Sequence, residues 1–256
     1  MMIQLLIQGH PKMFKKIIMG LFLLALPANA SEYHPSQPVD HTNTSISSAE
    51  KSVREAAVKI TVPFTGGHGS GSYIKYKDIH LVISAAHVTD GRLGTSYLIT
   101  HKDESRISTL IYSDPKNDIS ILYIGRPFRT IEPMKFNPVK NLAGVGTEII
   151  YSGYPSDHKL LSFVGRVAGY EPKAHSPGQK EIILQTYGWF GCSGSVIYNL
   201  KGQQVGILYG VDVEYYPDIQ VQENMIWVAP IDRIKIDKAL APFCRGYQGR
   251  RLKACR

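Results

Sequence analysis

Short apolar stretches of five to eight residues, rich in Val, Ile, Leu and Tyr, recur along the chain between breaks of Gly, Pro, Asn and Asp. This spacing predicts β-strands and turns rather than helices, in the manner of a barrel or sandwich. Six such runs lie before residue 130, around 57–62, 71–76, 80–86, 96–100, 107–112 and 119–124. A linker marked by Pro127, Pro133 and Pro138 follows. Six more runs lie around 148–152, 161–168, 181–186, 195–199, 204–209 and 225–229. Six and six strands about a proline-marked linker predict an all-β fold of two antiparallel six-stranded barrels, which leave no open sheet edge. After Pro230, taken as a first helical turn, Ile231, Ile234 and Leu240 recur at roughly helical spacing. A C-terminal helix packed on the second barrel is expected there. Residues 31–50 are rich in Ser, Thr, Pro and Asn without an apolar period, and read as a flexible lead-in. The expected plan is therefore leader 1–30, lead-in 31–50, first barrel 51–130, linker 131–146, second barrel 147–230, and helix with basic tail 231–256.

The leader changes the reading of charge and compartment. Met13-Phe14-Lys15-Lys16 is a basic start, 17–26 an apolar run, and Pro27-Ala28-Asn29-Ala30 a small-residue cleavage pattern before Ser31. The apolar run falls short of the ~20 residues of a comfortable membrane span. Cleavage after export is thus expected over retention as an anchor, with Met13 a candidate true start. The protein would be secreted or periplasmic and carry no stable span. Removing the leader takes away Lys12, Lys15 and Lys16 and no acid, so the formal charge drops from +8 to +8 − 3 = +5. Much of the remainder sits in Arg245, Arg250, Arg251, Lys253 and Arg256. That tail has no run of aromatics interleaved with its charges for base stacking, so solvated charge is expected and no nucleic-acid partner. Of three cysteines, Cys244 and Cys255 read as a disulfide in an exported protein, worth about 3 kcal/mol in the chain-entropy picture. Cys192 is left as a free thiol. No ligand cluster suggests a metal, and no cofactor is expected.

Three islands carry candidate chemistry: Ser84-Ala85-Ala86-His87, Asn117-Asp118-Ile119-Ser120-Ile121-Leu122, and Gly191-Cys192-Ser193-Gly194-Ser195. A serine hydroxyl is a weak nucleophile unless an imidazole takes its proton. The imidazole in turn needs a carboxylate to fix its tautomer. His87 is read as general base, Asp118 as its orienting partner and Ser193 as nucleophile. Asp114 competes with Asp118, and the apolar strand directly after Asp118 favours the latter. Glycines at 191 and 194 permit a tight turn that aims the Gly191 and Ser193 amides at one point, an oxyanion hole. Cys192 is the alternative nucleophile, but adjacent side chains diverge, so it should face away from His87. His68, His80, His101, His158 and His175 lack such context and read as surface or loop residues. A base that works only when neutral predicts activity rising through roughly pH 6 to 7.5, where histidines commonly lose their proton.

The islands, in this order, resemble the chymotrypsin-like serine proteases. Gly-x-Ser-Gly-Ser, the Ser152-Gly153-Tyr154-Pro155-Ser156-Asp157 turn, and Tyr198-Asn199 followed by Val205-Gly206-Ile207-Leu208-Tyr209-Gly210 resemble more closely the bacterial branch of glutamyl endopeptidases and high-temperature-requirement proteases. The resemblance spans roughly residues 55–240 and implies a serine endopeptidase acting on protein or peptide substrates through an acyl-enzyme. It also implies a pocket for the side chain before the cut, shaped by Tyr187, Leu208, Tyr209 and Gly210. Glutamyl endopeptidases carry a histidine where Leu208 stands, and trypsin an aspartate in the segment before the serine, which this chain lacks. A charged residue would then be buried unpaired, so apolar or small uncharged residues are expected. Cys192 stands where animal digestive enzymes have an aspartate, and Ala57-Val58-Lys59-Ile60 where they have their activation sequence, so that activation route is not expected. The competing class is a catalytically inactive relative using the same barrels as a binding module.

Overall fold

The computed structural model describes residues 46–63, 65–174, 176–215, 217–245 and 255. The leader, most of the lead-in, His175 and most of the basic tail lie outside the described residues.

Strands β1 (Ala57–Thr61), β2 (His68–Tyr76), β3 (Ile79–Ser84), β4 (Ser96–His101), β5 (Glu104–Asp114) and β6 (Ile119–Ile124) form the first barrel, in the order β1-β4-β5-β6-β3-β2. Pairing of Ala57–Thr61 with Ser72–His68 closes the ring. Two residues of the linker form β7 (Met134–Lys135), which runs parallel to β2 outside the ring. The second barrel is a closed ring of β8 (Glu148–Gly153), β9 (Leu161–Pro172), β10 (Lys180–Gln185), β11 (Val196–Asn199), β12 (Gln204–Glu214) and β13 (Gln220–Pro230). All twelve ring pairings are antiparallel. Closure pairs each ring strand on both sides without a partner chain.

Each barrel is filled from within by the inward residues of its strands. The first core gathers Leu81, Val82, Ile83, Ile121 and Leu122, with both faces of β3 and β6 covered; Ile149, Tyr151, Ile182, Leu184, Val205 and Val228 centre the second. Ile150, Val196, Tyr198 and Ile207 of the second barrel join the first core, so the seam between barrels is itself apolar and packed.

Two helices lie outside the rings, and both correct the sequence reading. Helix α1 (Ser48–Ala56) begins inside the expected flexible lead-in. Ser47 and Glu50 form a reciprocal capping box at its start, which satisfies two amides that a helix leaves open. Only Val53 and Ala56 are buried, so no apolar period announces this helix. Arg54 then reaches the second barrel, donating to Ser162 Oγ at 2.9 Å and to the Leu160 carbonyl at 3.0 Å. Pro230 ends β13 instead of starting a helix, and a 3-10 turn (Ile231–Arg233) precedes α2 (Ile236–Arg245). Helix α2 packs on the first barrel, not the second. Ile236, Ala239 and Leu240 enter the first core, Phe243 lies 4.7 Å from Tyr123 between ring centroids, and Asp237 accepts from Tyr76 and Lys77. The bridge between Cys244 and Cys255 fastens the chain after this helix.

Candidate active site

His87 stands on a 3-10 turn (Ala86–Thr89) that leaves the end of β3. Ala85 and Ala86 are buried, and their small side chains let this turn press against the neighbouring strands. The Ser120 hydroxyl donates to the Ala85 carbonyl at 3.1 Å, tying the turn to β6. Asp118 occupies the tight connection between β5 and β6, in a left-handed conformation at φ 53°. Its Oδ2 lies 2.7 Å from His87 Nδ1, and its Oδ1 accepts the His87 backbone N–H at 2.8 Å. A carboxylate only accepts, so Nδ1 carries the proton and Nε2 is left with its lone pair. Asp114, the competitor, turns inward on its own loop and accepts from the Asn117 backbone and side-chain N–H groups.

Ser193 sits in the loop between β10 and β11. Its carbonyl accepts the Ser70 N–H at 2.8 Å, and the next amide, Gly194, donates to the Leu208 carbonyl at 2.8 Å. Gly194 at φ 91° has no room for a side chain: a Cβ there would collide with the Ser70 carbonyl and the Ser84 hydroxyl. A Cβ on Gly69 would fall 2.6 Å from the Val88 side chain and 3.0 Å from the Ser193 carbonyl. The serine loop and the histidine turn therefore meet over the Gly69–Ser70 segment. Among the described residues the Ser193 hydroxyl has no hydrogen-bond partner, and neither do the backbone N–H groups of Gly191 and Ser193. Catalytic hydrogen bonds commonly tighten only when substrate is bound.

Cys192 is a free thiol closed off from solvent in the second core, 4.0 Å from the Tyr151 hydroxyl. Burial pushes this thiol up and away from the reactive thiolate. Leu208 is also buried in the second core, and meets the site through its backbone, donating to the Ser195 carbonyl at 2.9 Å. Tyr187 is 37% exposed and caps a stack that runs through Phe163 to Tyr151. The Tyr151 hydroxyl donates to the Tyr187 carbonyl, which fixes this end of the loop. Tyr209 falls at a bulge, between Leu208 paired with Val228 and Gly210 paired with Trp227. A bulge re-aims the side chain it displaces. Burial raises the Tyr209 hydroxyl well above its usual range; the charge of Glu181 adds to this, Arg233 opposes it, and Asp118 adds further.

Three histidines differ from the sequence reading: His80 is half-buried on β3, stacked on Tyr73 with its Nδ1 bonded to that hydroxyl. His101 is fully buried, not on the surface, and His68 is part of the site, with Nε2 3.0 Å from the Tyr154 carbonyl. Ser70 was equally silent in the sequence. Its hydroxyl accepts the Tyr154 N–H at 2.9 Å and donates to the Gly191 carbonyl at 2.6 Å. The signal available for both was the Gly-rich stretch from Gly66 to Gly71, whose crowding shows only once the second barrel is in place. Among the described residues no group of His, Cys, Asp and Glu is arranged to hold a metal ion, and no helix is long and apolar enough to cross a membrane.

The family model described as a trypsin-like peptidase domain matches residues 69–207, more than half of the 256-residue chain. The interval contains His87, Asp118 and Ser193. No curated protein sequence matches. Among solved structures, the Rv3671c protease of M. tuberculosis in its inactive form superposes with a TM-score of 0.58 at 18% identity, covering 76% of this chain and 92% of that one. Its active form gives 0.56 at 19% identity, covering 76% and 83%. The HtrA-type protease AlgW with a tripeptide gives 0.58 at 17% identity over 72% of this chain and 59% of AlgW, so the present chain matches only about three fifths of that protein. At such identities the likeness is one of fold.

Proposed function

From the premise that the chain belongs to the trypsin-like peptidase family and is a serine peptidase, we propose that it is an exported endopeptidase working through Ser193, His87 and Asp118. In this reading Ser193 Oγ attacks the scissile carbonyl carbon while His87 Nε2 takes the hydroxyl proton. The Gly191 and Ser193 amides receive the negative charge that builds on the carbonyl oxygen. Collapse of the tetrahedral species breaks the C–N bond, and His87 returns the proton to the departing amine. Water then repeats the sequence on the acyl-enzyme, restoring Ser193 and releasing the acid.

The observation that carries this reading is the double grip of Asp118 on His87, by both backbone and ring nitrogen, beside a loop with two unengaged amides. That grip sets the tautomer the mechanism needs. Export is supported by the leader pattern and by the Cys244–Cys255 bridge, a bond at home in oxidising compartments. For specificity, the aromatic stack ending at Tyr187 and the absence of an acid between Thr186 and Phe190 support a preference for apolar or small uncharged residues before the cut.

A peptide-library digest combined with fluorophosphonate labelling tests the mechanism and the specificity on one sample. The full chain is expected to label and to cleave after uncharged residues. Ser193→Ala should lose labelling and at least roughly 10⁴-fold in kcat. Labelling that survives the substitution would remove Ser193 from the mechanism. Cleavage dominated by Glu, Lys or Arg would overturn the specificity, and a chain that neither labels nor cleaves would be the binding module.

A further inference from the structure

The oxyanion loop is held from the first barrel by a residue outside the triad. The bond that matters is the peptide between Phe190 and Gly191, because it carries the Gly191 N–H. This peptide is planar, and in its trans form oxygen and hydrogen point to opposite sides. Fixing the oxygen therefore fixes the hydrogen. The Phe190 carbonyl accepts the Ser156 N–H at 2.7 Å. Without that hydrogen bond the carbonyl loses its partner, and rotation of the peptide would turn the Gly191 N–H away from the site.

Ser156 does not sit easily where it is. It adopts φ 46°, a left-handed conformation that an L residue keeps only where its surroundings over-determine it. Those surroundings are visible two residues upstream. Tyr154 has both backbone groups taken by β2: its N–H donates to Ser70 Oγ at 2.9 Å, and its carbonyl lies 3.0 Å from His68 Nε2. A carbonyl only accepts, so His68 carries its proton on Nε2 and donates it. The imidazole also lies directly against Gly191, where a Cβ would be 2.9 Å from Nε2 and would collide with the Tyr154 carbonyl. The same few atoms thus anchor the Tyr154–Ser156 turn and bound the glycine whose amide the chemistry uses.

We propose that His68 is a positioning residue of the oxyanion site: its Nε2–H holds the Tyr154 carbonyl, and the turn so anchored presents the Ser156 amide that orients the Phe190–Gly191 peptide. This rests on the reading of Gly191 N–H as an oxyanion donor. His68 touches neither substrate nor the reacting atoms; it acts on kcat through the turn. A substrate in its ground state leans little on that amide, so KM should hardly move.

The test compares the full chain with His68→Phe, which keeps a ring in place and removes the donor, and His68→Gln, whose amide can reach the Nε2 position. With a peptide substrate, His68→Phe is expected to lose roughly 10- to 100-fold in kcat, below the ~10²–10³ for outright loss of an oxyanion donor, with KM changed less than about threefold. Affinity for a peptide boronate, whose adduct occupies the same donors, should fall in parallel. His68→Gln should recover to within about fivefold of the parent. A His68→Phe kcat within about twofold of the parent would overturn the proposal. So would equal losses in both variants, because the donor would then not be the operative group. A parent chain that cleaves nothing would instead fell the peptidase reading itself, and this inference with it.

Discussion

A buried imidazole with one nitrogen engaged and the other empty makes stability depend on pH. His101 donates Nδ1–H to the Ala57 carbonyl at 2.7 Å, while its Nε2 is buried without a partner. Burial lowers its pKa; the bond to Ala57 opposes this, Lys102 and Arg54 add to it, and Glu55 opposes it. The folded value is therefore below that of the unfolded chain, near 6.5. Above about pH 6.5 both states are neutral and the contribution of His101 is fully present. As pH falls below that, the unfolded chain takes up a proton that the folded one refuses, and stability declines until the folded value is passed. Denaturant melts at pH 7, 6 and 5 should show a shallower decline in His101→Asn, whose Nδ2 can replace the Nδ1 donor, than in the parent. Equal slopes would mean His101 takes no part. The same residue shows what a sequence conceals at this scale. His87, Asp118 and Ser193 each stood in an island of neighbours that gave them meaning. His101 and His68 draw theirs from Ala57 and Tyr154, distant in the chain, so nothing adjacent to them could have revealed it.

Strands were legible because their burial follows a local rule, with inward and outward residues alternating or, as in β6, both faces covered. Elements outside the rings follow no such rule. Helix α1 has a single buried pair in nine residues, and its only advance sign was the Ser47–Glu50 box. The partner of α2 was invisible because an amphipathic stripe states that something apolar covers it, not which barrel does. The turn ahead of α2 is itself held by a buried ion cluster. Glu181 of β10, 2% exposed, lies 3.0 Å from both Arg233 of that turn and Lys173 beyond β9. The Arg233 guanidinium also donates to the Lys180 carbonyl at 2.6 Å. Removing the acid leaves two cations in a poorly solvated site, and breaking such a cluster from one side typically costs about 3–5 kcal/mol. Glu181→Ala is expected to lose that much in urea unfolding. A loss below about 1 kcal/mol would rank these contacts with exposed ion pairs.

At the scale of the whole molecule, the site exists only where the barrels meet. In the proposed mechanism the first barrel contributes the base, its carboxylate and the β2 groups that hold Tyr154, and the second contributes the nucleophile and the oxyanion amides. Neither core alone fixes that meeting, since apolar surfaces slide where polar contacts do not. Ser72 of β2 and Tyr198 of β11 supply one directional contact, Oγ to hydroxyl at 2.6 Å, with both residues buried in the seam. Burial pushes the Tyr198 phenol up, with Ser72 and then Gln204 opposing through hydrogen bonds, so it stays neutral across the working pH range. Leaving one buried partner unsatisfied costs about 1–3 kcal/mol, whereas removing both can be nearly neutral. Ser72→Ala and Tyr198→Phe should each destabilise by that order, and the double variant by clearly less than their sum. Because the Ser70 ties to Gly191 and Tyr154 lie two residues along the same strand, each single variant should also lower kcat while the double variant partly restores it. Additivity within about 0.3 kcal/mol would mean the two oxygens do not couple the barrels. In that case the register of the barrels would rest on the packed seam and its other polar ties, among them Ser70 to Gly191 and Tyr154.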